Sequence, residues 1–129
     1  MSETGGFLTP LNLQDIDGER FMLLTPLLYR ASSKKLYAVP AHFVTDFASI
    51  PRALWWRYPK SGIWNKAAVL HDHLYVVNGV TRAQADALFL EALEACGVNW
   101  WTRHVFYSAV RAGGWKPWGA YRQAEAQTT

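Results

Sequence analysis

Lys66-Ala67-Ala68-Val69-Leu70-His71-Asp72-His73-Leu74-Tyr75, with Asn78-Gly79 just beyond it and Thr81-Arg82-Ala83-Gln84 after that, decides the fold. The apolar run predicts a helix from about Asn65 to Val77. Asn78-Gly79 stops it, because both residues tolerate the left-handed backbone of a helix C-terminus. Thr81 and Gln84 are spaced as a capping box, each side chain satisfying the other's backbone donor. The second helix then runs to Cys96 and closes at Gly97, with Ala85, Leu88, Phe89, Ala92 and Leu93 as its buried stripe at helical spacing. A link as short as Asn78 to Val80 predicts that the two helices pack antiparallel. A third helix begins after Asn99 and ends at Gly113-Gly114, with Trp101, Val105 and Ala109 expected inward.

Upstream the pattern changes from helical to extended. Phe21 to Leu24, Leu27 to Arg30 and Leu36 to Val39 read as short strands, and Ala31-Ser32-Ser33-Lys34 as the hairpin turn between the last two. Pro26 and Pro40 cannot donate to a ladder, which places them at strand ends or on an edge. Phe43 to Phe47 is a further extended segment, and Arg52 to Trp56 a short helical turn. Strands first and helices after predict an α+β fold: short antiparallel strands with a hairpin, then three helices, the first two an antiparallel pair. Residues 1–129 are expected to form one domain, flexible at 1–6 and 124–129.

The 129 residues, 50% hydrophobic, suffice for a real core. No apolar run approaches the ~18 residues of a membrane span, and the N-terminus lacks the pattern of a secretory signal, so a cytoplasmic protein is expected. With Cys96 as the only cysteine, an intrachain disulfide and a thiolate zinc cage are excluded, and its place beside Ala95 and Gly97 suits packing. The net charge of +3 comes from scattered basic residues, Lys34-Lys35 apart, so no nucleic-acid footprint is expected. The basic balance still favours anionic surfaces, phospholipid included. Seven tryptophans are heavy usage; core packing, a protein interface and the boundary between water and lipid are the places such residues go.

His71 and Tyr75 are four residues apart and share a helix face, while Asp72 lies about 100° round from His71. On the second helix Asp86 sits on the margin of the apolar stripe, where a carboxylate needs a partner. Antiparallel packing would let Asp86 accept from the His71 ring and the Tyr75 hydroxyl. Two readings follow. The carboxylate can fix the imidazole tautomer so that the other ring nitrogen takes a proton from water, as in hydrolases. The same residues can equally form a buried network that only locks two helices together. Thr45-Asp46-Phe47-Ala48-Ser49-Ile50-Pro51-Arg52 is similarly open: Asp46 and Ser49 have the offset of backbone caps, or Asp46 is a metal ligand near His71 and Arg52 an anion clamp. Ser49 lacks the setting of a nucleophile. His42, His73 and His104 read as surface or packing residues.

His71-Asp72, Tyr75 and the helix bearing Ala85-Asp86 and Phe89 together resemble the active-site helices of phospholipase A2, over about Ala67 to Leu93. That resemblance implies His71 as the base that activates water, Asp72 as a calcium ligand, and Tyr75 with Asp86 as supports of the histidine. The glycine-rich calcium loop of that family has no match, since Tyr58 to Trp64 holds a single glycine. Calcium takes six to eight oxygens, so Asp72 needs further ligands, and Asp46 is the candidate.

A broader resemblance spans almost the whole chain. Phe7-Leu8-Thr9-Pro10, Val39-Pro40, Phe43 to Arg52, Trp55, Ala67 to Tyr75 and Arg82-Ala83-Gln84-Ala85-Asp86 are similar, in order and spacing, to the DUF1353 family of tailed bacteriophages and prophages. It implies a phage protein made in the host cytoplasm and open to incorporation in the virion. The leading expectation is a metal-dependent, phospholipase A2-like hydrolase acting on a lipid ester, with His71, Asp86 and Tyr75 catalytic, Asp72 and Asp46 on the divalent metal, and Arg52 on the substrate. Its alternatives are a non-enzymatic tail or assembly component and a metal-dependent cell-wall amide hydrolase. The expected partners are accordingly phage structural proteins or host membrane lipid.

Overall fold

Five consecutive residues of the first helix, Ala67 to His71, are buried, which requires neighbours all round it. The computed structural model, which describes residues 5–46, 54, 57–58, 62–77, 79–114 and 118–120, supplies them. In chain order the elements are β1 (Gly6–Phe7), β2 (Leu13–Asp15), β3 (Phe21–Leu23), β4 (Leu27–Arg30), β5 (Leu36–Val39), β6 (Val44–Thr45), α1 (Asn65–Val76), α2 (Arg82–Ala95) and α3 (Trp100–Gly113). Residues 118–120 add a short helical piece. The fold is α+β, as the strand-then-helix order predicts.

The described strands form two antiparallel three-stranded sheets, β1-β4-β5 and β2-β3-β6. In the first, Leu27 faces Val39 and Arg30 faces Leu36 across the hairpin, whose turn is closed by the Ala31 N–H on the Lys35 carbonyl at 2.9 Å, with Lys34 at φ 78°. In the second, β3 pairs with β2 through Leu13 and Leu23 and with β6 through Phe21 and Thr45. β1 and β2 are additions to the sequence reading, because Gly6-Phe7 and Leu13-Gln14-Asp15 each hold one large apolar residue and no apolar run that marks a strand.

α1 packs against β4, β5 and β6 on one side and α2 on the other, and α2 packs in turn on α3. The small Ala67 and Ala68 let the neighbours approach, and Leu23, Leu27, Tyr29, Val39, Val69, Leu70, Leu74, Phe89, Leu93 and Phe106 fill the shared core. Both halves of the expected capping box form: Thr81 Oγ1 accepts from Gln84 N and Gln84 Oε1 from Thr81 N. Ala85, Phe89, Ala92 and Leu93 are buried as expected, and Leu88 is half-buried. α2 is also tied to the first sheet by Glu91, which accepts from the Tyr29 hydroxyl at 2.5 Å and from Ser32 N and Oγ at 2.8 and 2.7 Å.

The third helix departs from its sequence reading. Asn99 caps it as expected, its side chain accepting from Thr102 N at 2.8 Å, but the buried side chains are Thr102, Phe106 and Val110. Trp101 is 70% exposed, and Val105 and Ala109 are intermediate. The inward stripe is therefore one residue later, about 100° round the helix. Phe106 decides the rotation, because its ring stands edge-on to Trp64 at 5.2 Å and to Tyr58 at 5.0 Å.

Candidate functional site

The antiparallel α1–α2 pair brings His71, Tyr75 and Asp86 together. His71 Nε2 lies 2.7 Å from Asp86 Oδ1, and the Tyr75 hydroxyl donates to the same oxygen at 2.6 Å. The His71 ring stacks on Phe89 at 4.5 Å and tilts against Tyr75 at 4.3 Å, so packing as well as hydrogen bonding fixes its orientation. Asp86 has no exposed surface and His71 only 3%.

Two arginines that sequence reasoning missed complete the carboxylate. Arg111 on α3 donates to Asp86 Oδ2 at 2.9 Å, and Arg82 lies 3.5 Å from the same oxygen. Arg82 also donates to the Val110 and Arg111 carbonyls at 3.2 Å, which caps the end of α3. The four-residue spacing of Arg82 and Asp86 was a signal available in the sequence; Arg111 carried none, because its approach depends on the rotation of α3.

Burial pushes the Asp86 carboxyl up, but hydrogen bonds from His71 and Tyr75, the nearby imidazole and the Arg111 hydrogen bond outweigh it and hold it below its ordinary value. Tyr75 moves the opposite way: burial first, then its bond to the Asp86 carboxylate, keeps the phenol protonated well above its ordinary range. An ionised Asp86 can only accept, so the proton between it and His71 sits on Nε2. In the neutral imidazole the lone pair is then on Nδ1.

Asp72, about 100° round α1 from His71, points toward β6. Its Oδ2 accepts from the Thr45 hydroxyl at 2.5 Å, and Asp72, Thr45, Asp46, Arg20, Phe43, Val44 and Val76 line a cleft of about 190 Å³. The two carboxylates expected to hold a metal thus share one cleft. Their oxygens and the Thr45 hydroxyl have the hard character a divalent cation such as calcium takes, though fewer in number than its six to eight ligands. Among the described residues no group of three or more His, Cys, Asp or Glu side chains is gathered for a metal ion. Arg52, the expected anion clamp, lies outside the described residues, as does the helical turn read from Arg52 to Trp56 apart from Leu54.

The remaining titratable candidates behave as packing groups. His73 stands edge-on to Phe43 at 5.0 Å, and burial lowers its pKa. His104 stacks on Trp100 at 4.2 Å. Burial raises the Cys96 thiol above its ordinary value, the reverse of what a nucleophile needs. No helix among the described residues is long and apolar enough to cross a membrane.

No curated protein and no solved structure shows a significant match to the chain. One family model does: that described as "Protein of unknown function (DUF1353)" matches residues 21–110, which include all six site residues named from the sequence and Arg82, while Arg111 lies one residue beyond. A match over more than two thirds of the length shows the family, and the chain belongs to DUF1353.

Proposed function

We propose that this protein is a phage hydrolase with a phospholipase A2-like centre, cleaving a lipid ester with His71 as general base. The observation that carries the reading is one buried carboxylate, Asp86, holding both His71 Nε2 and the Tyr75 hydroxyl on Oδ1 while Arg111 donates to Oδ2 and Arg82 lies 3.5 Å from it. Such an arrangement fixes the tautomer of a base and stabilises the imidazolium it becomes.

Water attacks the ester carbonyl carbon as His71 Nδ1 takes its proton. The tetrahedral adduct collapses with cleavage of the carbon–oxygen bond, and the proton passes from Nδ1 to the departing alkoxide. Asp86 accepts throughout and never becomes the acid. Asp72 and Asp46, with the Thr45 hydroxyl, are the residues that would hold a divalent cation, which when bound would polarise the carbonyl. Arg52 is assigned to the anionic part of the substrate.

The assay is turnover of phospholipid vesicles, soluble esters and cell-wall peptide fragments, with calcium, magnesium or zinc and then with chelator. Ester turnover that requires a divalent cation and is lost in Asp72→Asn is the expected result. Release of amide products alone would reassign the substrate to the cell wall.

Burial favours a second reading. With His71 and Asp86 almost sealed from solvent, the same bonds join α1, α2 and α3 and suit a non-enzymatic tail or assembly component. A wild type inert on every substrate above decides for it.

A further inference from the structure

We propose that the end of the molecule formed by the start of α1, the close of α2 and the start of α3 docks on an anionic phospholipid bilayer. Trp100 and Trp101 stand side by side there, 57% and 70% exposed, with ring centroids 6.2 Å apart. Trp100 is held in place by its stack on His104, whose Nδ1 lies 2.8 Å from the Trp100 carbonyl. Just behind them in the chain, Cys96 lines a groove of about 580 Å³ together with Phe7, Leu11, Lys66 and Ile63, and Ile63 is itself 64% exposed.

Adjacent exposed indoles are a large apolar area to leave in water, and their outward rotation on α3 is set by the burial of Phe106 behind them. An indole has an apolar body and one N–H donor, which suits the layer between lipid headgroups and acyl chains. Charge selects the occupant. Segments 62–66, 94–98 and 99–104 carry Lys66 and Arg103 against one acid, Glu94, on a chain of net charge +3. The Lys66 ammonium lies 5.6 Å over the Phe7 ring beside the groove, and its flexible stem lets that charge turn from the ring to a headgroup. The inference is independent of the hydrolytic reading, since this surface lies toward the Asn65 end of α1 and the Asp72 cleft reaches Val76 at the other.

The test uses vesicles of ether-linked lipid, which no esterase can cleave, made of phosphatidylcholine alone or of an equimolar mixture with phosphatidylglycerol. Wild type is expected to sediment with the anionic vesicles and to shift its tryptophan emission to the blue, with binding weakened by added salt. Trp100→Ser combined with Trp101→Ser should bind on the order of tenfold or more weakly. Its melting temperature should match wild type, because both side chains are exposed. Absence of binding to anionic vesicles at low salt, or equal binding by the double variant, overturns the proposal. A solution dimer of wild type that the double variant dissociates, without vesicle binding, gives the surface to a second copy instead. Either result leaves turnover of soluble esters free to stand or fall on its own.

Discussion

Asp86 is where burial and charge are most sharply opposed. It has no exposed surface, yet its ordinary value of 3.8 is lowered rather than raised. A carboxyl depressed in the folded state contributes stability that is fully present above the unfolded value and is lost as pH falls through the folded one. Stability should therefore be maximal above about pH 4 as far as this group is concerned and drain below it. Asp86→Asn should cost roughly 2–4 kcal/mol, toward the lower end because the Arg82 and Arg111 side chains, 22% and 36% exposed, can regain water. Acid titration of the melting temperature checks both points: the variant should start lower and lose less between pH 5 and the acid limit than wild type. The trio itself was legible because Asp86 interrupts an apolar stripe opposite a His and a Tyr four residues apart. The arginine from α3 was not, since no local spacing links Arg111 to Asp86.

Caps and close approaches act on whole elements. Thr81→Ala removes one half of the α2 capping box and should lower stability by about 1 kcal/mol in denaturant unfolding. Gly5→Ala tests the tie between the first sheet and α2. A Cβ there would meet the Tyr29 hydroxyl, Glu91 Oε1 and, at 2.6 Å, the Arg30 backbone carbonyl, and backbone cannot move aside cheaply. The expected loss is about 1–3 kcal/mol, read from the same unfolding curves. The starts of α2 and α3 were legible because Thr81-Gln84 and Asn99 are chemical signals fixed by sequence. The rotation of α3 was not: Trp101-Val105-Ala109 and Thr102-Phe106-Val110 both run at helical spacing, and the choice rests on a contact of Phe106 with Trp64 from a distant part of the chain.

Across the molecule, α1 is the hinge between two chemistries. Its consecutive residues His71 and Asp72 face different neighbours, α2 through Asp86 and β6 through Thr45. The α+β order was legible from the change of period along the chain. The split into two sheets was not, because β1 reaches β4 past β2 and β3, and β3 reaches β6 past β4 and β5, and pairings between strands so far apart in the chain leave no local signal. The paired measurement of turnover and melting on His71→Gln is the most direct test of His71 as a base. His71 is packed between Tyr75 and Phe89, so removal of its ring in His71→Ala would confound activity with a cavity, whereas Gln keeps an N–H donor for Asp86 and supplies no base. Ester turnover should fall by ~10²–10⁴. Melting should stay within about 4 °C of wild type. Undiminished turnover in His71→Gln, or a wild type with no turnover beside a strongly destabilised variant, would contradict the assignment and leave His71 as a structural link between helices.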